Sequence, residues 1–256
     1  MQEQKNLIIF DISSHFHRAY ESVKYRIGKD KPNPNYNGNE NHMIEMVKQA
    51  TGMVETELRK LRVQADYVVC VLDDEGENFR HEMYPDYKAN RPPSDPRYNY
   101  MRDVSKQIME HKGFFMIVQP DVEADDVIAT LATKVNNIPN LNTYICTGDK
   151  DMFYLINDST CVFAGSENGG KGTLYDIQGC IDKKGVKPEQ INDYLVLDGD
   201  DVDNVIGVPK VGPVTAQNML KHYNLNQIIE NPNLLEKEEI KIRGKKGIIS
   251  YIENNK

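Results

Sequence analysis

Nine acidic side chains stand where a folded chain could gather them at one site. They are Asp11, Asp73, Glu123, Asp125, Asp126, Asp149, Asp151, Asp200 and Asp203. Two unit charges about 4 Å apart repel each other by roughly 4 kcal/mol at an effective dielectric constant near 20, so such a cluster requires cations. Because all of these ligands are oxygen atoms, the pattern predicts Mg²⁺ or Mn²⁺ and not zinc. Two such ions would stabilise the attacking and leaving oxygens of a phosphodiester, and one of them would activate water.

A glycine-rich turn follows the last of these acids. Residues 207–213 read Gly-Val-Pro-Lys-Val-Gly-Pro, and Pro213 suits the first position of a helix. Backbone N–H groups at such a turn and helix start form an anion site that suits phosphate. Carboxylates for metal and amides for phosphate, a few residues apart, therefore indicate chemistry on a nucleic-acid backbone. A calcium loop, or an acidic surface turn before an ordinary helix, is the alternative interpretation.

The segment 79–102 interleaves five basic residues with five aromatic rings. They are Phe79, Arg80, Tyr84, Tyr87, Lys88, Arg91, Arg97, Tyr98, Tyr100 and Arg102. Rings that stack on bases and cations that hold phosphates are typical of surfaces that bind single-stranded nucleic acid. The alternative is a solvated loop whose tyrosines pack locally.

Strands and helices alternate along the first 150 or so residues. Apolar runs predict strands at 7–10, 67–72, 114–118 and 142–147, with shorter pieces at 160–163 and 173–175. This alternation predicts a largely parallel sheet with helices on both faces, and the ligand site of such a sheet lies beyond the carboxyl ends of its strands. Asp11, Asp73, Asp149 and Asp151 all follow strand ends and are therefore expected to converge there.

Helical spacing of apolar residues fills the intervals between these strands. Ser13 or Ser14 is expected to cap the first helix, a breaker-rich loop is expected at 28–41, and further helices at 42–61 and 101–111. The acids at 123–126 begin an amphipathic helix, where the helix dipole favours negative charge. That preference alone would explain one or two of these acids, but not three. Residues 188–197 are also expected to be helical.

Length and charge limit the function classes. The 256 residues fit one large domain with a smaller appendage. A net charge of −8 is unusual for a nucleic-acid binder, unless many acids gather at one metal site and the bases lie elsewhere. No apolar run approaches the ~20 residues that span a bilayer, and the start has no secretory pattern, so a cytoplasmic protein without membrane contact is expected.

The sequence lacks the residues that several other chemistries need. Cys70, Cys146, Cys161 and Cys180 lie far apart and predict free, mostly buried thiols. The histidines show no zinc spacing, and His15 and His17 are interpreted as ordinary helix residues. The chain has no Walker-type phosphate loop. An aspartyl-phosphate phosphatase would need a second aspartate two residues after Asp11, where Ser13 stands.

Five motifs, in order and spacing, resemble the structure-specific 5′ nucleases, the flap endonuclease and 5′–3′ exonuclease family of phages and of bacterial DNA polymerase I. The resemblance runs nearly end to end. The motifs lie at 9–11, at 73 with 79–91, at 122–126, at 147–151 and at 199–204. They read Ile-Phe-Asp, Asp with Phe-Arg-His-Glu-Met-Tyr-Pro-Asp-Tyr-Lys-Ala-Asn-Arg, Val-Glu-Ala-Asp-Asp, Thr-Gly-Asp-Lys-Asp and Gly-Asp-Asp-Val-Asp-Asn.

This resemblance implies an α/β, PIN-like nuclease domain at 1–185, with a mostly parallel sheet between helices and a helical arch at about 84–118. It also implies a helical, helix–hairpin–helix-type DNA-binding region at 186–256 that contributes Asp200 and Asp203 to the active site. All nine acids fall on the family's metal positions, for two or more Mg²⁺ ions. Arg80, Tyr87, Lys88 and Arg91 fall on its catalytic positions near the scissile phosphate, and a 5′ single strand would pass through the arch.

Residues 198–222 resemble the family's duplex-gripping element, which often holds K⁺ in its glycine turn. The implied DNA-binding residues are Tyr84, Gly207, Val208, Lys210, Gly212 and Thr215, with K⁺ on the backbone of Val208 and Val211. Relatives often carry Lys where this chain has Val214. The expected partner of this monomer is DNA with a 5′ flap or 5′ end, together with RNA–DNA primer hybrids. A PIN-type ribonuclease and a non-cleaving DNA-binding scaffold are the alternatives.

Overall fold

The structure is a computed structural model that describes residues 3–29, 40–74, 76–165 and 170–255. Its centre is a six-stranded sheet in the order β3-β2-β1-β4-β5-β6. The strands are β1 (Lys5–Asp11), β2 (Tyr67–Leu72), β3 (Phe115–Val118), β4 (Leu141–Cys146), β5 (Thr160–Ala164) and β6 (Thr173–Tyr175). The first five run parallel and β6 is antiparallel to β5, so the predicted mostly parallel sheet is confirmed.

Helices cover both faces of the sheet because alternate residues of β1 point to opposite sides. Ile8 and Phe10 pack against the helices α1 (Ile12–Lys29), α2 (Glu40–Leu61) and α4 (Pro96–His111). Leu7 and Ile9 belong to a second core, which contains α5 (Ala124–Val135). A short helix, α3 (Phe79–Met83), lies between β2 and α4.

The C-terminal third is helical and shares the core of α5. Its elements are α6 (Ile177–Lys184), α7 (Ile191–Asp198), the hairpin strands β7 (Gly199–Asp200) and β8 (Val205–Ile206), α8 (Pro213–Leu220), α9 (Leu225–Glu230) and α10 (Lys245–Asn254). Single 3₁₀ turns lie at Asp151–Leu155, Pro188–Gln190 and Pro232–Glu236. Because Leu197, at the end of α7, is fully buried, the hairpin that follows is anchored to the same core.

Three local predictions need correction or qualification. Asp11, not Ser13 or Ser14, caps α1, since its carboxylate accepts a bond from the amide of Ser14. α4 begins at Pro96 instead of 101, because Asp95 caps it and proline fits its first turn. The ends of the predicted loop at 28–41 are helical, and residues 30–39 lie outside the described chain.

Two further features concern the cysteines and the apolar character of the helices. All four cysteines are free, and three of them are buried, as expected. Within the described ranges, no helix combines the length and the apolar character needed to cross a membrane.

Candidate active site

Four acids meet at the carboxyl ends of the parallel strands. Asp11 ends β1, Asp73 follows β2, and Asp149 follows β4, the strand on the other side of β1. Asp125 lies in the first turn of α5, and the charges of the other three all act on it. Parallel strands end at the same edge, so their order along the chain does not separate these residues in space.

Hydrogen bonds hold these acids in place. Asp11 accepts from the Ser14 amide at 3.0 Å and from the Thr147 hydroxyl at 2.6 Å. Asp73 accepts from the amide of Ala124 at 2.6 Å, which ties β2 to the start of α5. Both oxygens of Asp11 are therefore oriented before any ligand binds.

The four-acid group is electrostatically unfavourable as it stands. Burial raises the pKa of Asp11 and of Asp149, and in each case neighbouring acids add to the effect. Burial, followed by the charges of Asp11, Asp149, Asp73 and Glu123, raises the pKa of Asp125 to about 8. Desolvation and like charges both disfavour the ionised form of a carboxyl group. Burial and mutual repulsion therefore act against the ionised forms of Asp11, Asp125 and Asp149.

A second group of acids already has cations. Arg80 donates to both oxygens of Asp126 at 2.6 and 2.7 Å, and its bonds lower the pKa of Asp126. Lys88 Nζ lies 2.7 Å from Glu123 Oε1 and 3.8 Å from Asp203 Oδ2. Burial would raise the pKa of Glu123, but Lys88 and its other donors outweigh burial and lower it.

Tyr87 joins two of these acids. Its hydroxyl lies 3.0 Å from Glu123 Oε2 and 2.9 Å from Asp203 Oδ2, and the side chain is almost fully buried. Burial and the two carboxylates raise the pKa of Tyr87, so the phenol keeps its proton. Arg91 completes the group with a 2.5 Å bond from Nη2 to Asp203 Oδ1.

Residues 84–91 are docked on the loop between β7 and β8. The Lys88 amide donates to the carbonyl of Asp203 at 3.0 Å, and Lys88 has a φ of +55°. Asn90 donates to the carbonyl of Asp201, and Asn204 donates to the carbonyl of Asp86, both at 2.8 Å. Tyr84, one of the predicted DNA contacts, uses its hydroxyl to bond the carbonyl of Asn204 at 3.3 Å. The C-terminal region thus helps to fix the predicted catalytic residues.

The remaining two predicted ligands lie in other environments. Asp151 accepts from Lys184 Nζ at 3.0 Å. Asp200 accepts from the amides of Val202 and Asp203 within its own turn, at 2.8 and 3.2 Å. Its carboxylate therefore shapes the loop that carries Asp203.

The segment predicted to form the arch, 84–118, divides into three parts, and the last of them, 112–118, contains β3 of the central sheet. Residues 96–111 form α4, whose Met101, Ser105 and Met109 are buried against the core. Residues 84–95 contain turns but no helix. Next to them, a cavity of about 240 Å³ is lined by Asp73, Asp74, Gly76, Glu77, Asn78, His81, Lys88, Asp121, Val122 and Glu123. Residues 84–95 contribute no side chain to the two main core clusters, although Tyr87 is buried.

The two glycines of the glycine turn have different surroundings. A Cβ on Gly207 would lie 2.4 Å from the backbone carbon of Asp198, so Gly207 is needed for packing against the chain itself. A Cβ on Gly212 would meet nothing within 4 Å. The DNA contact predicted for Gly207 stays a prediction, and the close approach of the Asp198 backbone gives Gly207 a packing reason to lack a side chain. Gly212 precedes Pro213, which occupies the first turn of α8 as predicted.

The other predicted DNA contacts lie around this turn. The Val211 amide donates to the Val208 carbonyl at 3.0 Å, and Lys210 between them has a φ of +69°. The side chain of Lys210 extends toward Gly247 of α10, where an added Cβ would lie 3.5 Å from Lys210 Nζ. Thr215 is half-buried on α8, whereas Val214 is 69% exposed.

Several residues that support the site were not singled out in the sequence. Thr147 and Ser14 bind Asp11, and Asn78 donates to Glu123 at 2.9 Å. His15 lies in α1, as interpreted, and is in addition buried in an ionic network beside Asp11. The nearness of Ser14 to Asp11 and of Thr147 to Asp149 in the sequence is a weak signal. The partner of His15 lies 42 residues away and leaves no local signal.

The chemistry of the donor set fits hard divalent cations. Oxygen ligands surround the strand ends, and the raised pKa values of Asp11, Asp125 and Asp149 mark a deficit of positive charge there. Among the described residues, no three His, Cys, Asp or Glu side chains already form a metal-binding group. Some side chains would therefore have to turn toward an ion.

With this geometry in hand, the comparisons with known proteins identify the class. The 5′–3′ exonuclease N-terminal, resolvase-like domain family matches residues 6–187, and the 5′–3′ exonuclease C-terminal SAM-fold family matches residues 186–253. The chain belongs to the 5′–3′ exonuclease family, as its motifs indicated. The fold agrees with that of a mutant bacteriophage T5 5′-exonuclease, at a TM-score of 0.67 and 17% identity, over 98% of this chain and 83% of that chain.

Two curated relatives are similar to the chain over most of its length. A 5′–3′ exonuclease of Aquifex aeolicus is 36% identical over 182 residues, which cover 71% of this chain and 61% of that protein. DNA polymerase I of Pseudomonas aeruginosa is 32% identical over 254 residues, covering 99% of this chain and 26% of the polymerase. The chain thus spans about a quarter of that polymerase's length.

Proposed function

We propose that the protein is a Mg²⁺-dependent, structure-specific 5′ nuclease that hydrolyses phosphodiester bonds in branched or 5′-ended DNA during replication and repair. The observation that carries this proposal is the meeting of Asp11, Asp73, Asp125 and Asp149 at one sheet edge, where burial and like charges raise the pKa of Asp125 to about 8. Family membership supports it, because the matched domains are those of 5′–3′ exonucleases. A structural neighbour of the same fold is a T5 flap endonuclease in complex with DNA and metal ions.

The four strand-end acids would hold the first Mg²⁺ ion, or Mn²⁺ in its place. A second ion would draw on the remaining acids, which are Glu123, Asp126, Asp151, Asp200 and Asp203. When bound, such ions supply Lewis-acid stabilisation of phosphate oxygens and an activated water. The protein contributes preset carboxylate orientations at Asp11 and Asp73, so less reorganisation is needed on binding.

The cations of the second group would act on the phosphate. Lys88 and Arg91 now pair with Glu123 and Asp203, so a phosphate that reaches these acids lies beside both cations. Their charges then stabilise negative charge that develops during cleavage. Arg80 keeps Asp126 in place, and the protonated Tyr87 hydroxyl holds Glu123 and Asp203 together.

DNA would be bound by two further surfaces. Residues 84–95 would form the arch around a 5′ single strand, with Tyr84 at its base. The turn at 207–212 and the start of α8, including Thr215, would contact the duplex, with K⁺ on the carbonyls of Val208 and Val211. We assign the nuclease domain to 1–185 and the duplex-binding region to 186–256, acting as a cytoplasmic monomer in a bacterium or a phage-infected cell.

A cleavage assay tests this function with three substrates: a 5′-flap duplex, a nicked duplex and an RNA–DNA hybrid. We expect Mg²⁺-dependent release of the flap, and no cleavage in EDTA. Cleavage of single-stranded RNA alone would favour a ribonuclease. Tight binding of the flap without any cleavage in Mg²⁺ would favour a DNA-binding scaffold.

A further inference from the structure

A buried ionic network lies behind Asp11, outside the predicted set of catalytic residues. His15 Nδ1 is 2.5 Å from the carbonyl oxygen of Asp11, and His15 Nε2 is 2.6 Å from Glu57 Oε2. Arg18 pairs with the other oxygen of Glu57 and reaches the carbonyl of Gly165 at 3.5 Å. His15 is 1% exposed and Glu57 is 4% exposed. The network connects α1 and α2 to the ends of β1 and β5.

The hydrogen-bond partners define the state of the ring. A carbonyl oxygen can only accept, so Nδ1 must carry a hydrogen. Burial would raise the pKa of Glu57, but the bonds and charges of His15 and Arg18 outweigh burial and lower it. The ionised Glu57 can only accept as well, so Nε2 also donates. Each ring nitrogen is therefore fixed by its own hydrogen bond, Nδ1 to Asp11 and Nε2 to Glu57.

We propose that His15, held by Glu57, is a positioning residue that fixes the backbone of Asp11 at the metal-binding edge. This inference rests on the proposed function, since it assigns a role within the same site. Ser14 and Thr147 orient the carboxylate of Asp11, and His15 holds its carbonyl from the other side. Hydrogen bonds thus hold Asp11 at its carboxylate and at its backbone carbonyl.

Stability alone does not account for a buried charged network at this place. Replacing buried ion pairs by apolar residues of similar volume is often neutral or stabilising. The surrounding contact between α1 and α2 is in fact apolar, with Phe16, Met46 and Val54 fully buried in the same core. Groups that hold a metal ligand in place typically affect metal affinity or activity by about 10–100-fold when they are changed.

Two substitutions of His15 separate its two hydrogen bonds. In His15→Asn the amide nitrogen stands near the position of Nδ1, so the bond to Asp11 is retained. In His15→Gln the amide nitrogen stands near the position of Nε2, so the bond to Glu57 is retained and that to Asp11 is lost. The measurements are Mn²⁺ binding to the DNA-free protein, flap-DNA affinity in EDTA, and single-turnover cleavage of the flap in Mg²⁺.

We expect His15→Gln to weaken Mn²⁺ binding and to lower the single-turnover rate by about 10-fold or more, with unchanged DNA affinity in EDTA. His15→Asn should stay much closer to the parent. Val54→Ala is the matched control, because it removes buried volume from α2 without touching the network. It should lower thermal stability and leave Mn²⁺ binding unchanged.

Equal behaviour of the two His15 variants, or a loss of Mn²⁺ binding in Val54→Ala as large as in His15→Gln, would overturn the positioning role. If a His15 variant does not fold, Glu57→Gln replaces it, since its amide oxygen still accepts from Nε2. It should reduce Mn²⁺ affinity by less than His15→Gln is expected to, and parent-like Mn²⁺ binding would overturn the role. A parent protein that neither binds Mn²⁺ nor cleaves would instead contradict the proposed function.

Discussion

Asp125 and Asp126 are neighbours in the sequence, yet their side chains have opposite environments. Successive residues of a helix point about 100° apart, so one side chain faces the strand ends and the other faces α3. The pKa of Asp125 is raised to about 8 by burial and by other acids. The pKa of Asp126 is lowered by its two bonds from Arg80. We infer that Asp125 needs a metal, whereas Asp126 already has a cation.

This difference predicts how stability depends on pH without metal. The folded pKa of Asp125, about 8, lies above its unfolded value near 3.9, so the folded protein binds more protons between these values. Stability in EDTA should therefore fall as the pH rises from about 4 to about 8, by at most about 1.4 kcal/mol per pH unit from this group. Asp125→Asn should flatten the fall, as measured by urea unfolding at pH 5 to 8. An equal slope in variant and parent would contradict the assignment.

A second prediction concerns the side chain of Lys88. Its contact with Glu123 puts its charge where a bound phosphate would develop negative charge. Lys88→Ala should lower single-turnover cleavage of a 5′ flap by roughly 10²-fold, the effect of losing one charge-stabilising donor. Lys112→Ala, which removes an exposed lysine paired with Glu55, is the control and should cleave like the parent. A change in DNA affinity alone for Lys88→Ala would show that Lys88 binds DNA and does not assist cleavage.

A third prediction concerns the two glycines of the glycine turn, Gly207 and Gly212. Gly212→Val points into open space, so it should keep thermal stability and weaken binding of flapped duplex more than binding of a short single strand. Gly207→Ala should lower thermal stability, because its Cβ would collide with the backbone at Asp198. Thermal melts and binding titrations check both. If Gly212→Val loses affinity equally for both DNAs, the turn does not grip duplex.

The strands and most helices could be predicted because their apolar periodicity is local. β2 and β6 match their predicted bounds, and the strand-end positions of Asp11, Asp73 and Asp149 followed from the parallel topology. The pairing of Lys88 with Glu123, and of Arg91 with Asp203, could not be predicted, since these contacts join residues 35 and 112 positions apart. Such contacts depend on how helices and loops pack, which a single sequence does not encode locally.

The negative charge of the molecule is unevenly distributed. Burial and like charges act on Asp125 at the strand ends, whereas the acids facing residues 80–91 are paired with cations. The C-terminal helices share a core with α5. Asp203 is therefore held near Glu123, which lies 80 positions earlier in the sequence, and Tyr87 bonds both. The fold thus brings together acids from the two segments that match the N-terminal and the C-terminal domain families.

The most direct test of the metal-dependent mechanism is the single-turnover cleavage of a 5′-flap duplex by Asp149→Asn across a Mg²⁺ titration. Flap binding in EDTA is measured in parallel, and Asp182→Asn, on the exposed face of α6, is the control. From this mechanism we expect Asp149→Asn to abolish cleavage at every Mg²⁺ concentration and still to bind the flap, while the control matches the parent. Comparable cleavage by Asp149→Asn and the parent in Mg²⁺ would contradict it.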